Sequence, residues 1–405
     1  MAAKAGILPA SIQDLYTAMG RGEVGGFTVP AMNIRALTYD AARAVFRAAR
    51  RLEVGAFILE IARSEMGYTD QRPGEYATVI LAAAIREGHE GPVFIQGDHF
   101  QVNAKKYAKD PGPEKHAIEA LIEEAIPAGF FNIDIDTSTL VDMSKPTEDE
   151  QQRVNFENAA HFTRFIRERE PKGLTISIGG EIGEVGKEVS TPEEFRAFMK
   201  GYLANIPSGM IGVSKISINT GTMHGGVVNP DGTTAPVQIH FPEMEEISRI
   251  ARTEFGLSGA VQHGASTLQA DAFHQFPEHG ASEVHLATEF QNMTFERLPD
   301  DLRNEIYAWV RENAADERKA SDTEEQFVYR SRKKAIGPFK RRLWDLPEGV
   351  RDTIGGALEE KFKFLFGKLR VTGTKEVVAK HVKPFEVDLA MAGAGAFHRD
   401  DEAGD

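Results

Sequence analysis

The sequence contains no cysteine, which excludes disulfide bonds, thiolate catalysis and cysteine-based zinc sites. Any metal must therefore be held by histidine and carboxylate side chains. The sequence also has no run of the roughly 20 apolar residues that a helix needs to cross a bilayer. The first residues carry no continuous apolar segment of the kind found in signal peptides, so no membrane association and a cytoplasmic location are expected.

The sequence also lacks an excess of basic over acidic residues. The chain has 47 Lys and Arg against 61 Asp and Glu, which gives a formal net charge of -14. A domain that binds nucleic acid normally presents a basic surface to the phosphate backbone. Nucleic acid is therefore not expected as a partner, and a small ligand in a locally polar cleft fits the composition better.

Short apolar segments rich in β-forming residues recur along the first 300 residues. The eight strand candidates are residues 27–33, 56–61, 92–96, 131–136, 174–178, 213–219, 259–263 and 283–287. The helix candidates are residues 8–24, 39–52, 75–87, 114–128, 151–168, 192–203 and 244–255. This alternation predicts parallel βαβ units, and eight such units predict a closed (β/α)₈ TIM barrel. A doubly wound open sheet is the main rival, but no glycine-rich dinucleotide motif follows the first strand.

The pattern changes after the eighth strand candidate. We expect a catalytic barrel over residues 1–298 and a helical, partly basic C-terminal extension over residues 299–392, with helices at 301–316 and 347–369. The last residues, 393–405, are rich in alanine, glycine and acidic residues, which predicts a disordered tail.

Residues that can bind a metal follow several of the predicted strands. Asp98 and His99 follow the third strand, Glu181 follows the fifth, His224 lies after the sixth and His263 ends the seventh. The carboxyl ends of the strands form the active site of a TIM barrel. Zinc favours imidazole ligands and keeps an open position when it is catalytic. His99, His224 and His263 are therefore the candidate ligands of a catalytic metal.

Asp98 and Lys215 each have two interpretations. Asp98 is either a general acid/base beside the metal or a residue that caps a helix or orients His99. Lysine could replace the metal by forming a Schiff base with a ketone. Lys215 is the one candidate for that role, but it lies early in the sixth strand, so a metal-dependent reaction is preferred.

Six motifs in order resemble the class II, metal-dependent fructose-bisphosphate aldolase family, from about residue 10 to residue 295. They are Val29-Pro-Ala-Met-Asn33, Gly97-Asp98-His99, Ile133-Asp-Ile-Asp136, Glu181-Ile-Gly183, Gly221-Thr-Met-His224-Gly225 and His263-Gly264-Ala-Ser266. The resemblance implies a TIM barrel that assembles as a homodimer or homotetramer. It also implies an aldolase that joins a dihydroxyacetone phosphate-type enediolate to an aldehyde, or cleaves the product, a ketose phosphate.

The family's metal and proton-transfer residues carry over position by position. The resemblance implies Zn²⁺, or another divalent metal, on His99, His224 and His263, with Glu181 binding it in an alternative position. Asp98 would then transfer the proton of the aldehyde oxygen.

The carbon-bound proton is assigned by the same resemblance to Glu188, with Glu184 as a competitor. The remaining implied contacts serve the ketose phosphate and a monovalent cation, Na⁺ or K⁺. They are Asn33, Asp136, Gly225, Gly264, Ser266 and Thr288.

Departures from the family pattern affect the substrate rather than the metal ligands. His285 stands where the family usually has Asn, Ala287 where it has Asp, and Ala62 where it has Ser. Fructose 1,6-bisphosphate is therefore in doubt as the substrate. His285, Glu60 and Arg63 are either replacement recognition groups or a polar network without ligand contact.

Two other functions stay open. One is a metal-dependent ketose 4-epimerase that uses retro-aldol chemistry, and the other is a non-catalytic partner subunit of an aldolase.

Overall fold

A closed ring of eight parallel strands forms the centre of the molecule. The computed structural model describes residues 2–183, 189–221, 229–230, 239–265, 268–383 and 385. The strands are β1 Ile7–Pro9, β2 Val29–Asn33, β3 Ile58–Ala62, β4 Gly91–Gln101, β5 Asn132–Asp136, β6 Ser177–Glu181, β7 Lys215–Ile218, β8 Ala260–Gln262 and β9 Glu283–Leu286. Strands β2 to β9 pair in sequence order, and β9 pairs with β2 to close the barrel. The predicted TIM barrel is confirmed, and each barrel strand overlaps one of the eight strand candidates.

Helices connect the strands and cover the outside of the ring. They are α1 Gln13–Gly20, α2 Thr38–Arg51, α3 Arg63–Thr69, α4 Pro73–Arg86, α5 Ala104–Lys109, α6 Pro111–Ala125, α7 Glu148–Gln151, α8 Arg153–Arg167, α9 Pro192–Asn205, α10 Phe241–Phe255, α11 Gln275–Glu278 and α12 Thr288–Glu296. Local signals set several starts. Before α9, for example, Thr191 and Glu194 form a capping box, and Pro192 occupies the first turn. Among the helices described, none is both long and apolar enough to span a membrane.

The predicted helix over residues 8–24 is wrong at its start. Residues 7–9 form β1, which pairs with the beginning of β4 outside the ring, and α1 begins only at Gln13. The side chain of Asn132, at the start of β5, accepts a hydrogen bond of 2.9 Å from the backbone of Ile12. The N-terminal segment is thereby fixed across the amino end of the barrel, with Tyr16 fully buried.

In the described part of the chain after the barrel, five α-helices pack on its side. They are α13 Asp300–Asn313, α14 Glu324–Ser331, α15 Lys340–Trp344, α16 Glu348–Lys368 and α17 Lys375–His381. Helix α16 lies along α2, where Arg47 Nε is 2.6 Å from Glu359 Oε2. The helices predicted at 301–316 and 347–369 are thus present as α13 and α16. The division into separate units at residue 298 stays a prediction, and the tail 393–405 lies outside the described residues.

Alternation along the strands gives the barrel an unusually polar interior. In β5, for example, Asn132, Asp134 and Asp136 alternate with two isoleucines, and all five residues are buried. Side chains two residues apart point to the same face of a strand. The polar set faces inward, because Asp134 contacts Lys215 of β7, which is the next strand but one in the ring. Charged side chains therefore occupy the barrel interior as far down as Lys215, the first residue of β7.

Candidate active site

Strand β4 is irregular at Asp98 and His99. The register of its pairing with β5 shifts between Gly97 and Phe100, and His99 has a φ of 39°, a left-handed value that is uncommon for a residue other than glycine. A bulge of this kind redirects side chains. Regular alternation would send Asp98 and His99 to opposite faces, whereas here both reach the barrel mouth, with His99 Nε2 3.7 Å from Asp98 Oδ1.

The first cluster at the mouth consists of His99, Glu181 and His263. His99 Nδ1 is 3.3 Å from Glu181 Oε2, and the rings of His99 and His263 have centroids 4.1 Å apart. One donor atom from each of the three residues lies within 4.8 Å of the other two. Two imidazoles and a carboxylate at this separation fit a divalent metal such as zinc. The third predicted histidine, His224, lies outside the described residues.

Buried carboxylates surround this cluster. Burial raises the pKa of Glu181 to about 8, and the charge of Asp136 raises it as well, while His99 lowers it. Asp136 also sets the orientation of His99, since its Oδ2 lies 3.0 Å from His99 Nδ1 and accepts a hydrogen bond from Gln101. Ser138 holds the other oxygen of Asp136 through its backbone and hydroxyl. An imidazole held through one nitrogen in this way is typical of metal-binding histidines.

Asp98 is held at both of its oxygens. Asn33 Nδ2 donates to Oδ2 over 2.7 Å, and His285 Nδ1 lies 3.0 Å from Oδ1. Burial alone would raise the pKa of Asp98, but His99 and His285 hold it well below its ordinary value. An ionised, oriented carboxylate beside the metal cluster can accept a proton. These contacts agree with the acid/base interpretation of Asp98, which stays a prediction.

The other predicted site residues divide into two groups. Gly264 directly follows His263 with a φ of 68°, a conformation that favours glycine, and Thr288 begins α12 just beyond β9. The remaining five lie outside the described residues, so the structure does not place them. They are Glu184, Glu188, His224, Gly225 and Ser266.

All three candidate recognition groups have partners within the protein, and the contact of His285 with Asp98 is given above. Arg63 Nη1 lies 2.5 Å from Glu114 Oε1 and donates to the backbone of Gln101. Glu60 is fully buried and accepts a hydrogen bond of 2.7 Å from Gln96. These contacts favour a polar network for Arg63 and Glu60 over recognition of a ligand.

Sequence reasoning missed most of the charged interior below the mouth. The missed residues are Tyr16, Gln96, Asp134 and Glu283. Lys215 was considered only as a nucleophile, yet its Nζ is 2.5 Å from Glu283 Oε1 and 2.9 Å from Asp134 Oδ2. Although burial lowers the pKa of Lys215, these two carboxylates raise it above its ordinary value. A lysine held protonated in this way is unsuited to form a Schiff base.

Gly97 leaves room for the ring of Phe100 within the bulge of β4. A Cβ at residue 97 would lie 2.3 Å from Cε1 of Phe100, whose ring is buried beside it. Gly97→Ala should therefore displace Phe100, destabilise the fold by about 1–3 kcal/mol and weaken metal binding through Asp98 and His99. Chemical denaturation and metal titration would measure both effects.

A matched control for this substitution is Gly356→Ala in α16, where an added Cβ meets no atom within 4 Å. That variant should keep wild-type metal affinity and be as stable as the wild type or more stable, because alanine favours a helix over glycine. If Gly97→Ala behaved like this control, Gly97 would not be needed to shape the site.

Comparison with known proteins bears on the fold and on the family of the chain. A search of the curated proteins found no match to the chain. Among solved structures, the fold is similar to a putative fructose-1,6-biphosphate aldolase from Coccidioides immitis, with 18% identity, 90% of this chain and 97% of that chain covered, and a TM-score of 0.55. A probable tagatose 6 phosphate kinase from Sinorhizobium meliloti has 18% identity, coverage of 90% and 96%, and a TM-score of 0.57.

A third similar structure is the fructuronate-tagaturonate epimerase UxaE from Cohnella laeviribosi, with 13% identity, coverage of 88% and 82%, and a TM-score of 0.52. At these identities the likeness concerns the fold alone. The family profile "Fructose-bisphosphate aldolase class-II" matches residues 14–341, which includes the whole barrel and the first C-terminal helices. The chain therefore belongs to the class II fructose-bisphosphate aldolase family.

Proposed function

We propose that the protein is a zinc-dependent aldolase that forms or cleaves a carbon–carbon bond in a ketose phosphate, with dihydroxyacetone phosphate and an aldehyde as the two fragments. The observation that carries the proposal is the cluster of His99, Glu181 and His263, whose donor atoms lie within 4.8 Å of one another beside Asp98. Membership of the class II family supports the same assignment.

The residues of the site have distinct roles in this proposal. His99 and His263 would hold the metal together with His224, and Glu181 would provide an alternative ligand. A divalent cation held there would act as a Lewis acid toward substrate oxygens. Asp98 would accept the proton of the hydroxyl group that becomes the aldehyde, and would return it in the direction of synthesis.

The phosphate is best placed at the carboxyl ends of β8 and β9. Thr288 begins α12, and the backbone N–H groups at the start of a helix attract anions. Gly264 lets a ligand approach the backbone after β8. Glu188, with Glu184 as the competitor, stays the proposed group for the carbon-bound proton.

A ketose 4-epimerase is the second candidate. His285 and Ala287 differ from the residues with which the family recognises the ketose phosphate, and this difference favours an altered substrate. Cleavage followed by re-addition to the opposite face of the aldehyde would use the same metal cluster and the same Asp98. The product, rather than the site, distinguishes the two functions.

Incubation of zinc-replete protein with dihydroxyacetone phosphate in heavy water tests the proposal directly. We expect deuterium to enter one carbon position of dihydroxyacetone phosphate, because breaking that C–H bond is the first step of bond formation. Addition of a panel of aldehydes should then give a ketose phosphate that mass spectrometry and NMR can identify. The control is protein treated with a chelator, which should regain both activities when zinc is restored.

The possible outcomes of this experiment distinguish the candidate functions. Absence of both deuterium exchange and adduct in metal-replete protein would refute the aldolase proposal. Inversion of a ketose at C4, with no release of fragments, would support the epimerase instead. Protein that binds no divalent metal and converts no substrate would support a non-catalytic subunit.

A further inference from the structure

Glu283 is the centre of the charged network inside the barrel. Its Oε1 lies 2.5 Å from Lys215 Nζ, 2.6 Å from His285 Nε2 and 2.9 Å from Gln96 Nε2. Its Oε2 accepts a hydrogen bond from the hydroxyl of Tyr16 in α1. Four side chains from four different elements thus hold one carboxylate, and each of them is at least 96% buried.

The barrel wall is shaped to contain this network. A Cβ at Gly179 of β6 would lie 2.3 Å from Asp134 Oδ1 and 2.9 Å from Lys215 Cε. Only glycine therefore leaves room for the ion pair between Lys215 and Asp134. Buried charges are costly unless they are paired and hydrogen-bonded. A barrel filled with apolar side chains would avoid that cost, so the network needs an explanation other than stability.

A second metal site does not provide that explanation. Donor atoms of Glu60, Glu283 and His285 do lie within 4.8 Å of one another. The ammonium group of Lys215, however, already lies 2.5 Å from Glu283 and supplies a positive charge there. It would repel a divalent cation bound to the same carboxylate.

The network instead leads to Asp98 through His285. One ring nitrogen of His285 faces Glu283 at 2.6 Å, and the other faces Asp98 at 3.0 Å. Asn33 holds the second oxygen of Asp98. The imidazole is therefore a rigid link between a carboxylate fixed deep in the barrel and the carboxylate at its mouth.

We propose that Glu283 and Lys215 are positioning residues, which fix the ring of His285 so that it orients the carboxylate of Asp98 toward the substrate. Asn33 and His285 hold one oxygen each, and Glu283 determines where His285 stands. This inference rests on the proposed aldolase function, in which Asp98 transfers a proton. It also gives His285 a role directed at Asp98 rather than at the sugar.

The test uses the charge-balanced double variant Lys215→Met/Glu283→Gln. It removes both charges with little change of volume, so neither of these two groups is left buried without the other. Asp134, the second carboxylate beside Lys215, still faces His285 Nε2 at 3.6 Å. We expect the variant to fold and to keep its metal and its KM. Its kcat should fall by about 10²-fold, because a displacement of about 1 Å in a reacting group can cost that much.

A mutant cycle tests whether the two residues act through His285. His285→Asn should lower kcat, and the triple variant Lys215→Met/Glu283→Gln/His285→Asn should be no slower than His285→Asn alone, because the same link is lost in both. The control is Arg196→Met/Glu254→Gln, which removes an exposed ion pair between α9 and α10 with an Nη2–Oε1 distance of 2.8 Å. That variant should keep wild-type kcat.

NMR provides a measurement that does not depend on turnover. The imidazole N–H protons of His285, assigned by their loss in His285→Asn, should be shifted downfield in the wild type by hydrogen bonds to two carboxylates. The double variant should lose that shift for the proton on the nitrogen that faces Glu283. Should the double variant not fold, Tyr16→Phe, which removes one donor to Glu283 and no charge, should move the same resonance.

The outcomes separate this inference from the proposed function. Wild-type kcat in the folded double variant, or an imidazole resonance that neither the double variant nor Tyr16→Phe moves, would overturn the positioning role. Absence of aldolase activity in the wild type, with the resonances behaving as expected, would refute the function while leaving the link from Glu283 to Asp98 intact.

Discussion

Replacement of His263 by alanine is expected to remove the divalent metal and, with it, carbon–carbon bond cleavage. His263 belongs to both donor clusters at the barrel mouth, one with His99 and Glu181 and one with Asp98 and His285. Loss of an outer hydrogen-bond partner of a metal ligand typically lowers affinity by 10- to 100-fold. Loss of the ligand itself should therefore lower metal affinity by more than about 100-fold. Elemental analysis after gel filtration, with activity assayed on the same samples, would measure this.

A graded series makes the His263 prediction specific. Ser217 Oγ is 2.8 Å from His263 Nε2, so Ser217→Ala should weaken metal binding less than His263→Ala does. His99→Ala should resemble His263→Ala. His161→Ala, on the outer helix α8 where the ring contacts Glu119 at 2.7 Å, should leave the metal in place. Full activity of metal-free protein, or wild-type metal content in both His99→Ala and His263→Ala, would refute the proposed metal centre.

The fold could be predicted from the sequence because each βαβ unit carries its own local signals. The strand candidates were apolar segments bounded by glycine and polar residues, and the helices between them had caps and amphipathic spacing. The error at residues 8–24 arose because α1 and β1 both present apolar residues. Only tertiary pairing of residues 7–9 with β4 determines where the helix starts.

The mouth of the site was predictable for a similar reason. In a closed parallel barrel the strand ends converge, so Asp98, His99, Glu181 and His263 could be expected together from their positions alone. The bulge in β4 could not be predicted in the same way, since its only local sign was Gly97. Neither the left-handed conformation of His99 nor the position of the Phe100 ring against Gly97 can be read from the sequence.

Only part of the charged network inside the barrel could be predicted from the sequence. Alternation in Asn132-Ile-Asp134-Ile-Asp136 and in Glu283-Val-His285 predicts polar side chains on one face of each strand. Which carboxylate meets Lys215, and which oxygen meets His285, depends on barrel closure and on the register between strands. The tyrosine at residue 16 fitted the apolar face of a helix, and nothing in that spacing indicated that its hydroxyl reaches Glu283.

Asp98→Asn is the variant that separates proton transfer from metal binding. Asparagine keeps the shape of the side chain but cannot accept the substrate proton, and a general acid/base typically contributes 10²- to 10⁴-fold to the rate. We expect kcat for carbon–carbon bond cleavage to fall within that range while metal content stays unchanged. Because Asn33 and His285 both face the carboxylate, an amide group there loses one hydrogen bond, which should cost about 1 kcal/mol of stability.

Deuterium exchange distinguishes the two proton transfers and therefore tests the role of Asp98. Asp98 is assigned to the hydroxyl proton, whereas the carbon-bound proton is assigned to a different carboxylate. Asp98→Asn should therefore keep deuterium exchange into dihydroxyacetone phosphate while it loses bond cleavage, whereas Glu188→Gln should lose the deuterium exchange. If Asp98→Asn lost its metal as completely as His263→Ala, Asp98 would be a ligand. If it lost exchange and cleavage equally with its metal retained, Asp98 would serve the carbon acid as well, because only a group common to both steps slows both.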